Sequence, residues 1–307
     1  MTRNPGAMPG KPRSGSRPPH LPNRTVEVEL RHQGRDRPYL VHAPERQSGR
    51  APLVLQLHGR GIDPLMFDRW TGFSALADES GFVLAMPSAV GEIWNDGRYH
   101  GPAWPGRDEI DDVGYLLAVI DDVVDRHAAD PARIYLVGMS NGATMAGRMA
   151  LERPGRIAAI AQVAGTASAE VATRGHPAVP VPVLEIHGTR DRAAPYEGGR
   201  ASGLWARLLV RRPAGACLGV DEWAGLWVGR NGAGSGPQVG TDGPDITIRR
   251  WRGPSPAADV VFYRVEGGGH TWPGARLWMP PHLGRVSRSI DATRVSWEFL
   301  AAHSRAP

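Results

Sequence analysis

From Thr25 onward, short apolar runs alternate with longer stretches in which apolar residues recur every three or four positions. Thr25–Leu30 and Tyr39–Ala43 read as an opening strand pair. Pro52–Leu57 and Phe82–Met86 are short continuous apolar runs, the pattern of strands buried on both faces. Between them Phe67–Ser80 predicts one helix, closed by Gly81 as a C-cap. Ile110–His127 is the clearest helix. Ile110, Val113, Leu117, Ile120 and Val124 share a stripe, Asp111, Asp112, Asp121, Asp122 and Asp125 fall mostly on other faces, and Asp130–Pro131 stops it. Ile134–Met139, Ile157–Ala164, Val181–Ile186 and Val260–Val265 continue the strands, and Asn141–Glu152, Leu204–Arg212 and Ile290–His303 the helices. Ala214–Gly243 is Gly-rich, and Asn231–Gly240 within it reads as a flexible loop without the glycine spacing of a phosphate cradle. The alternation predicts an α/β fold: a mostly parallel central sheet with helices on both faces.

Composition narrows the picture. The 307 residues, 41% of them hydrophobic, hold enough apolar material for the core of one large domain over residues 25–307. The formal charge of +5 suggests nucleic acid until it is located. Arg3, Lys11, Arg13, Arg17 and Arg24 precede the first acidic residue, Glu27, so 36 − 5 leaves 31 bases against 31 acids in the body. A balanced body predicts no nucleic-acid partner. Residues 1–24, rich in Pro, Gly, Ser and Arg, cannot bury enough surface to order and read as a disordered tail. They lack the apolar core of a secretory leader, so the expectation is that the chain as written stays in the cytoplasm, or that the true start and any leader lie elsewhere. No apolar run reaches the roughly 18 residues of a membrane span. A single cysteine, Cys217, rules out an intrachain disulfide and any metal site built on cysteine clusters.

Chemistry concentrates in Gly138-Met139-Ser140-Asn141-Gly142. G-x-S-x-G alone is a weak signal, but here a buried strand enters it and a helix of small residues leaves it. Such a turn holds a serine clear of the sheet's carboxyl edge, with flanking glycines where a Cβ would strike backbone. Serine needs a base, and the base an orienting acid. Asp191 closes the strand-to-loop segment Val183–Asp191, and His270 follows the strand Val260–Val265 and three glycines. The order Ser140, Asp191, His270 is that of a nucleophile–acid–base triad on an α/β sheet. His187 and His58, each just before a glycine at a strand end, read as loop buttresses; Asp242, Asp245, Glu197 and Glu266 are weaker rivals of Asp191. The backbone N–H groups of Asn141 and of Arg60, in Leu57-His-Gly-Arg-Gly61, are the expected oxyanion-hole donors.

Leu57-His-Gly59, Gly138–Gly142, His187-Gly-Thr-Arg-Asp191, Pro195-Tyr-Glu-Gly198 and Gly267-Gly-Gly-His-Thr-Trp-Pro-Gly274 together resemble the polyhydroxybutyrate depolymerase-like esterases, relatives of feruloyl and acetylxylan esterases. The resemblance runs from about Val26 to the C-terminus. It implies an α/β-hydrolase fold, a serine esterase mechanism on Ser140, Asp191 and His270, no metal or organic cofactor, and an ester substrate, polymeric hydroxybutyrate before feruloyl or acetyl-carbohydrate esters. Members are commonly secreted and often disulfide-bonded, whereas this chain shows neither a signal nor a second cysteine, and Ala143-Thr-Met departs from the extra glycine usual after the elbow. A non-catalytic binding protein on the same scaffold is the alternative of another class, opposed by the intact Ser, Asp and His.

The stretch between the Ser140 helix and the Asp191 strand leaves little room for a large lid, so an open cleft is expected. Trp94 and Trp104, in the loop after Phe82–Met86, and Trp272, two residues beyond His270, are the expected walls of an acyl pocket; the alternative is that they pin long loops.

Overall fold

The computed structural model describes residues 23–45, 49–174, 179–201, 214–234 and 236–305. Residues 1–22 of the expected tail and the expected helix Leu204–Arg212 lie outside these. The strands are β1 (Thr25–Val28), β2 (Arg31–His32), β3 (Arg35–Asp36), β4 (Tyr39–His42), β5 (Ala51–Leu57), β6 (Val83–Pro87), β7 (Ala129–Met139), β8 (Ala159–Val163), β9 (Val183–Gly188), β10 (Gln238–Thr241), β11 (Ile246–Trp251) and β12 (Val260–Val265). The helices are α1 (Pro64–Thr71), α2 (Phe73–Ser80), α3 (Asp112–His127), α4 (Asn141–Glu152), the one-turn α5 (Ala169–Ala172), α6 (Val220–Asn231) and α7 (Ala292–Ala301).

Ten strands form one sheet in the order β1-β4-β6-β5-β7-β8-β9-β12-β11-β10, and β2 and β3 pair separately. Strands β6 to β12 in that order run parallel, with antiparallel pairs closing both edges. Because side chains alternate along a strand, Leu53, Leu55 and Leu57 of β5 join Ile134 and Leu136 of β7 under α3, α4 and α6. Val54, Tyr135, Val137 and Met139 point the other way, into the layer made by α1, α2 and α7. Among the described residues no helix is long and apolar enough to cross a membrane.

Several elements differ from the sequence expectation. The single helix over Phe67–Ser80 is two, because Gly72 adopts φ 75 and turns the chain; Gly81 caps the second as expected. Helix α3 ends at His127, where Ala128 takes a left-handed conformation, so β7 begins before Pro131. Asp112 is not on the outer face of α3. It is completely buried, accepting hydrogen bonds from Arg37 and from the Asn95 backbone at 2.6 Å each, and so ties the loop after β6 to the helix. The Gly-rich span Ala214–Gly243 contains α6 and β10. Gly225 and Gly229 lie on the open side of α6, while Val220, Trp223, Ala224 and Trp227, at helical spacing, enter the core.

Candidate active site

Ser140 lies between β7 and α4 with φ 57 and ψ −120, a conformation costly for a residue with a Cβ. Close packing holds it there. A Cβ on Gly138 would come within 2.5 Å of the Gly142 backbone, and one on Gly142 within 2.1 Å of Leu57 O. A third glycine escaped the sequence reading: a Cβ on Gly165 would lie 2.4 Å from Ser140 O. The Ser140 amide donates to Val163 O at 2.9 Å, fixing the turn to the end of β8.

Asn141 opens α4, where the first amides have no partner within the helix. Its side chain is a clamp. Oδ1 accepts from the Trp94 amide at 2.7 Å, and Nδ2 donates to Trp94 O at 3.1 Å and to Asp96 Oδ2 at 2.6 Å. Arg98 grips the same Asp96 oxygen through Nε and Nη2, so this buried network joins the elbow to the loop after β6. Gly59, at the end of β5, packs directly on the serine: its ideal Cβ position is 3.6 Å from Ser140 Cβ. The amide of Arg60 follows it, while the Arg60 guanidinium stacks 4.9 Å from the Trp104 ring centre.

Asp191 follows β9 and His270 follows β12, adjacent parallel strands. His270 Nδ1 donates to Asp191 Oδ2 at 2.7 Å. Asp191 Oδ1 accepts from the amides of Ala193 and Ala194, both at 2.8 Å. Burial alone would raise the Asp191 carboxyl, but His270, His187 and the Ala194 amide outweigh it and hold it below its ordinary range. The amide of His270 donates to Leu283 O at 2.6 Å, and a Cβ on Gly269 would meet that oxygen at 2.2 Å. Gly269 therefore allows this loop to touch the Leu283–Gly284 segment. Asp191 and His270 are brought together, and Gly59 reaches Ser140; no hydrogen bond joins Ser140 to His270 among the described residues.

The proposed walls fare differently. Trp94 and Trp272 have no exposed surface. The indole of Trp94 donates to His58 O at 2.9 Å. That of Trp272 donates to Thr293 at 3.1 Å, its ring edge-on to Phe67 and Phe73. Both pin loops and present no face to a ligand, which corrects the expectation for these two. Trp104, 8% exposed, packs edge-on to Tyr99. Behind Asp191, Glu185 and His187 are both buried, two titratable side chains inside an otherwise apolar strand.

Comparison with known proteins now bears on this geometry. A family model described as "Esterase PHB depolymerase" matches residues 39–195. The chain belongs to the PHB depolymerase esterase family. A Nocardia uniformis subsp. tsuyamanensis protein named as an esterase, NocK, is 31% identical over 90% of this chain and 82% of its own length. Feruloyl esterase B of Piromyces equi is 27% identical over 72% of this chain, which spans 39% of that longer protein. Poly(3-hydroxyalkanoate) depolymerase C of Paucimonas lemoignei is 31% identical over 40% of this chain and 30% of its own length. The solved acetyl xylan esterase of Aspergillus awamori superposes with a TM-score of 0.57 at 15% identity, over 80% of this chain and 94% of that one. The fold is the α/β-hydrolase fold expected from the sequence, and the family is one of esterases.

Proposed function

We propose that this family member is a serine esterase acting through Ser140, His270 and Asp191. The observation that carries the proposal is the pairing of a strained Ser140 at the β7–α4 turn with a 2.7 Å His270–Asp191 contact at the same edge of the sheet. His270 Nδ1 is held by Asp191, so Nε2 is the basic edge of the ring and takes the Ser140 proton as Oγ attacks the ester carbonyl. The amides of Asn141 and Arg60 receive the oxyanion, the first at a helix N-terminus and the second beside Gly59, where the backbone packs on the serine. His270 returns the proton to the departing alcohol, and water attacks the acyl-enzyme by the same route.

The substrate favoured is a hydroxyalkanoate polyester or its oligomers. A second reading, a feruloyl or acetyl-carbohydrate ester, is favoured by the greater length over which the Piromyces feruloyl esterase matches, 72% of this chain against 40% for the Paucimonas depolymerase. A fluorophosphonate that labels wild-type protein and not Ser140→Ala supports the mechanism; an unlabelled, folded wild type refutes it. Parallel hydrolysis of hydroxybutyrate oligomers, methyl ferulate and acetylated xylan separates the substrates.

A further inference from the structure

The buried groups that the reaction above leaves unused are Glu185 and His187. They stand two residues apart on one face of β9, the strand that delivers Asp191. Neither side chain is more than 1% exposed. His187 Nδ1 lies 2.8 Å from Glu185 Oε1. Its Nε2 lies 2.8 Å from Ala194 O and 3.5 Å from Asp191 Oδ2, the same oxygen that holds His270. Two oxygens that only accept, in front of Nε2, require a proton on that nitrogen. Nδ1 and Glu185 then share a second proton, so the pair as a whole is neutral, with its positive end toward Asp191.

We propose, on the basis of the serine-esterase reading, that Glu185 and His187 form a buried positioning pair that braces the Asp191 carboxylate and offsets part of its charge. Placing positive charge behind Asp191 offsets part of the carboxylate's pull on the His270 proton. The direct brace is mechanical as well: Ala194, whose amide donates to Asp191 Oδ1, offers its carbonyl to His187. Burial opposes a charged imidazole, but contact with Glu185 and the field of Asp191 prevail and raise His187 to about 9; burial raises the Glu185 carboxyl as well, so the second proton belongs to the pair.

Other groups near the pair do not supply this charge. Tyr196 meets the His187 ring edge-on, and its hydroxyl hydrogen-bonds Asp221 on α6. Arg264, the β12 neighbour of His187, stacks over the Tyr196 ring and pairs with Glu266. Arg98 is neutralised by Asp96, and burial pushes the Cys217 thiol up, away from thiolate. Gln162, beside Glu185 on β8, is uncharged and bonded to Trp223.

The test is the pH dependence of kcat/KM for a p-nitrophenyl ester in wild type, Glu185→Gln and His187→Gln, each checked for folding by circular dichroism. Both variants should move the acidic limb upward by about half a pH unit or more, because the neutral pair's positive end, directed at Asp191, is lost or weakened in each. A lower rate with an unmoved limb overturns the pair's electrostatic role and leaves the brace as packing. If neither variant folds, nitrogen NMR of the wild type decides: His187 should carry protons on both ring nitrogens at pH 7, and a bare Nδ1 overturns the proposal. Ser140 labelling is read in the same samples. A labelled serine with an unmoved limb rejects the pair alone, whereas an unlabelled wild type rejects the serine mechanism itself.

Discussion

Gly142→Ala measures how tightly the elbow is built. In an ordinary helix this change stabilises, by about 1 kcal/mol, because alanine restricts the unfolded chain and favours the helix. Here the new methyl would lie 2.1 Å from Leu57 O and 2.6 Å from His58 O. Both atoms are main chain at the end of β5, so no side chain can swing away. Either α4 lifts off the sheet or the Leu57–Gly61 segment shifts, and overpacking of this kind costs about 1–3 kcal/mol. The net effect should be a loss of about 1–2 kcal/mol in stability. The catalytic loss should be larger, since the displaced segments carry both proposed oxyanion amides, each worth roughly a hundredfold or more. Gly225→Ala is the control. Gly225 is in the middle of α6, a Cβ there meets nothing within 4 Å, and the change should add about 0.5–1 kcal/mol. Urea unfolding and kcat/KM on a p-nitrophenyl ester, measured for both variants, complete the comparison. A Gly142→Ala protein as stable and as active as wild type would refute the claim that close approach, and not chance, places glycine after the serine.

Asp191→Asn should reduce kcat roughly 10³- to 10⁴-fold while leaving the fold intact, because His270 loses the group that fixes its tautomer; steady-state kinetics with circular dichroism check this. His187, raised from 6.5 to about 9, contributes stability that is complete below pH 6.5 and is lost as pH rises through 9, an upper bound on the order of 3 kcal/mol at about 1.4 kcal/mol per pH unit. Asp191, held low, acts in the opposite window: its contribution is present above its ordinary value of 3.8 and fades as pH falls below it. Urea midpoints from pH 6 to 9.5 should therefore decline in wild type and flatten in His187→Gln. Trp272→Ala should cost about 3–5 kcal/mol in a urea titration, as for any large aromatic deleted from a core, while a wild-type midpoint with altered ester affinity would restore it to the acyl pocket.

The sheet was legible wherever a strand is buried on both faces, since a continuous apolar run has few other homes. Pro52–Leu57, Phe82–Met86 and Val260–Val265 all reappear within a residue of their expected ends. Helix α4 was legible to the residue because the elbow fixes its start. Helix α6, Val220–Asn231, was not predicted because glycine content outweighed periodicity, and the expected loop Asn231–Gly240 runs into β10. Val220, Trp223, Ala224 and Trp227 fall at helical spacing, and glycines on an outward face do not cancel that signal. The break at Gly72 and the left-handed Ala128 are single-residue events, which periodicity over a dozen residues averages away.

For the site, chain order and strand ends identified groups that touch, Asp191 with His270, because topology brings the ends of β9 and β12 side by side. Trp94 and Trp272 failed as pocket walls for a different reason. Residue type gives size and polarity but not direction, and a loop long enough to reach the site must also be fastened to the body. Trp94 does that fastening: its amide, carbonyl and indole N–H all bond to Asn141 or the carbonyl of His58, residues flanking the proposed nucleophile and oxyanion loops. A buried charge would have been the better guide. Glu185 interrupts an apolar strand at a position where an unpaired carboxylate is too costly to keep, so a partner had to exist. With side chains alternating along a strand, the residue two places on was the first candidate, and His187 stands there, four residues before Asp191. Read this way, the exception within the apolar run points toward the acid of the site, where the aromatic residues of the loops do not.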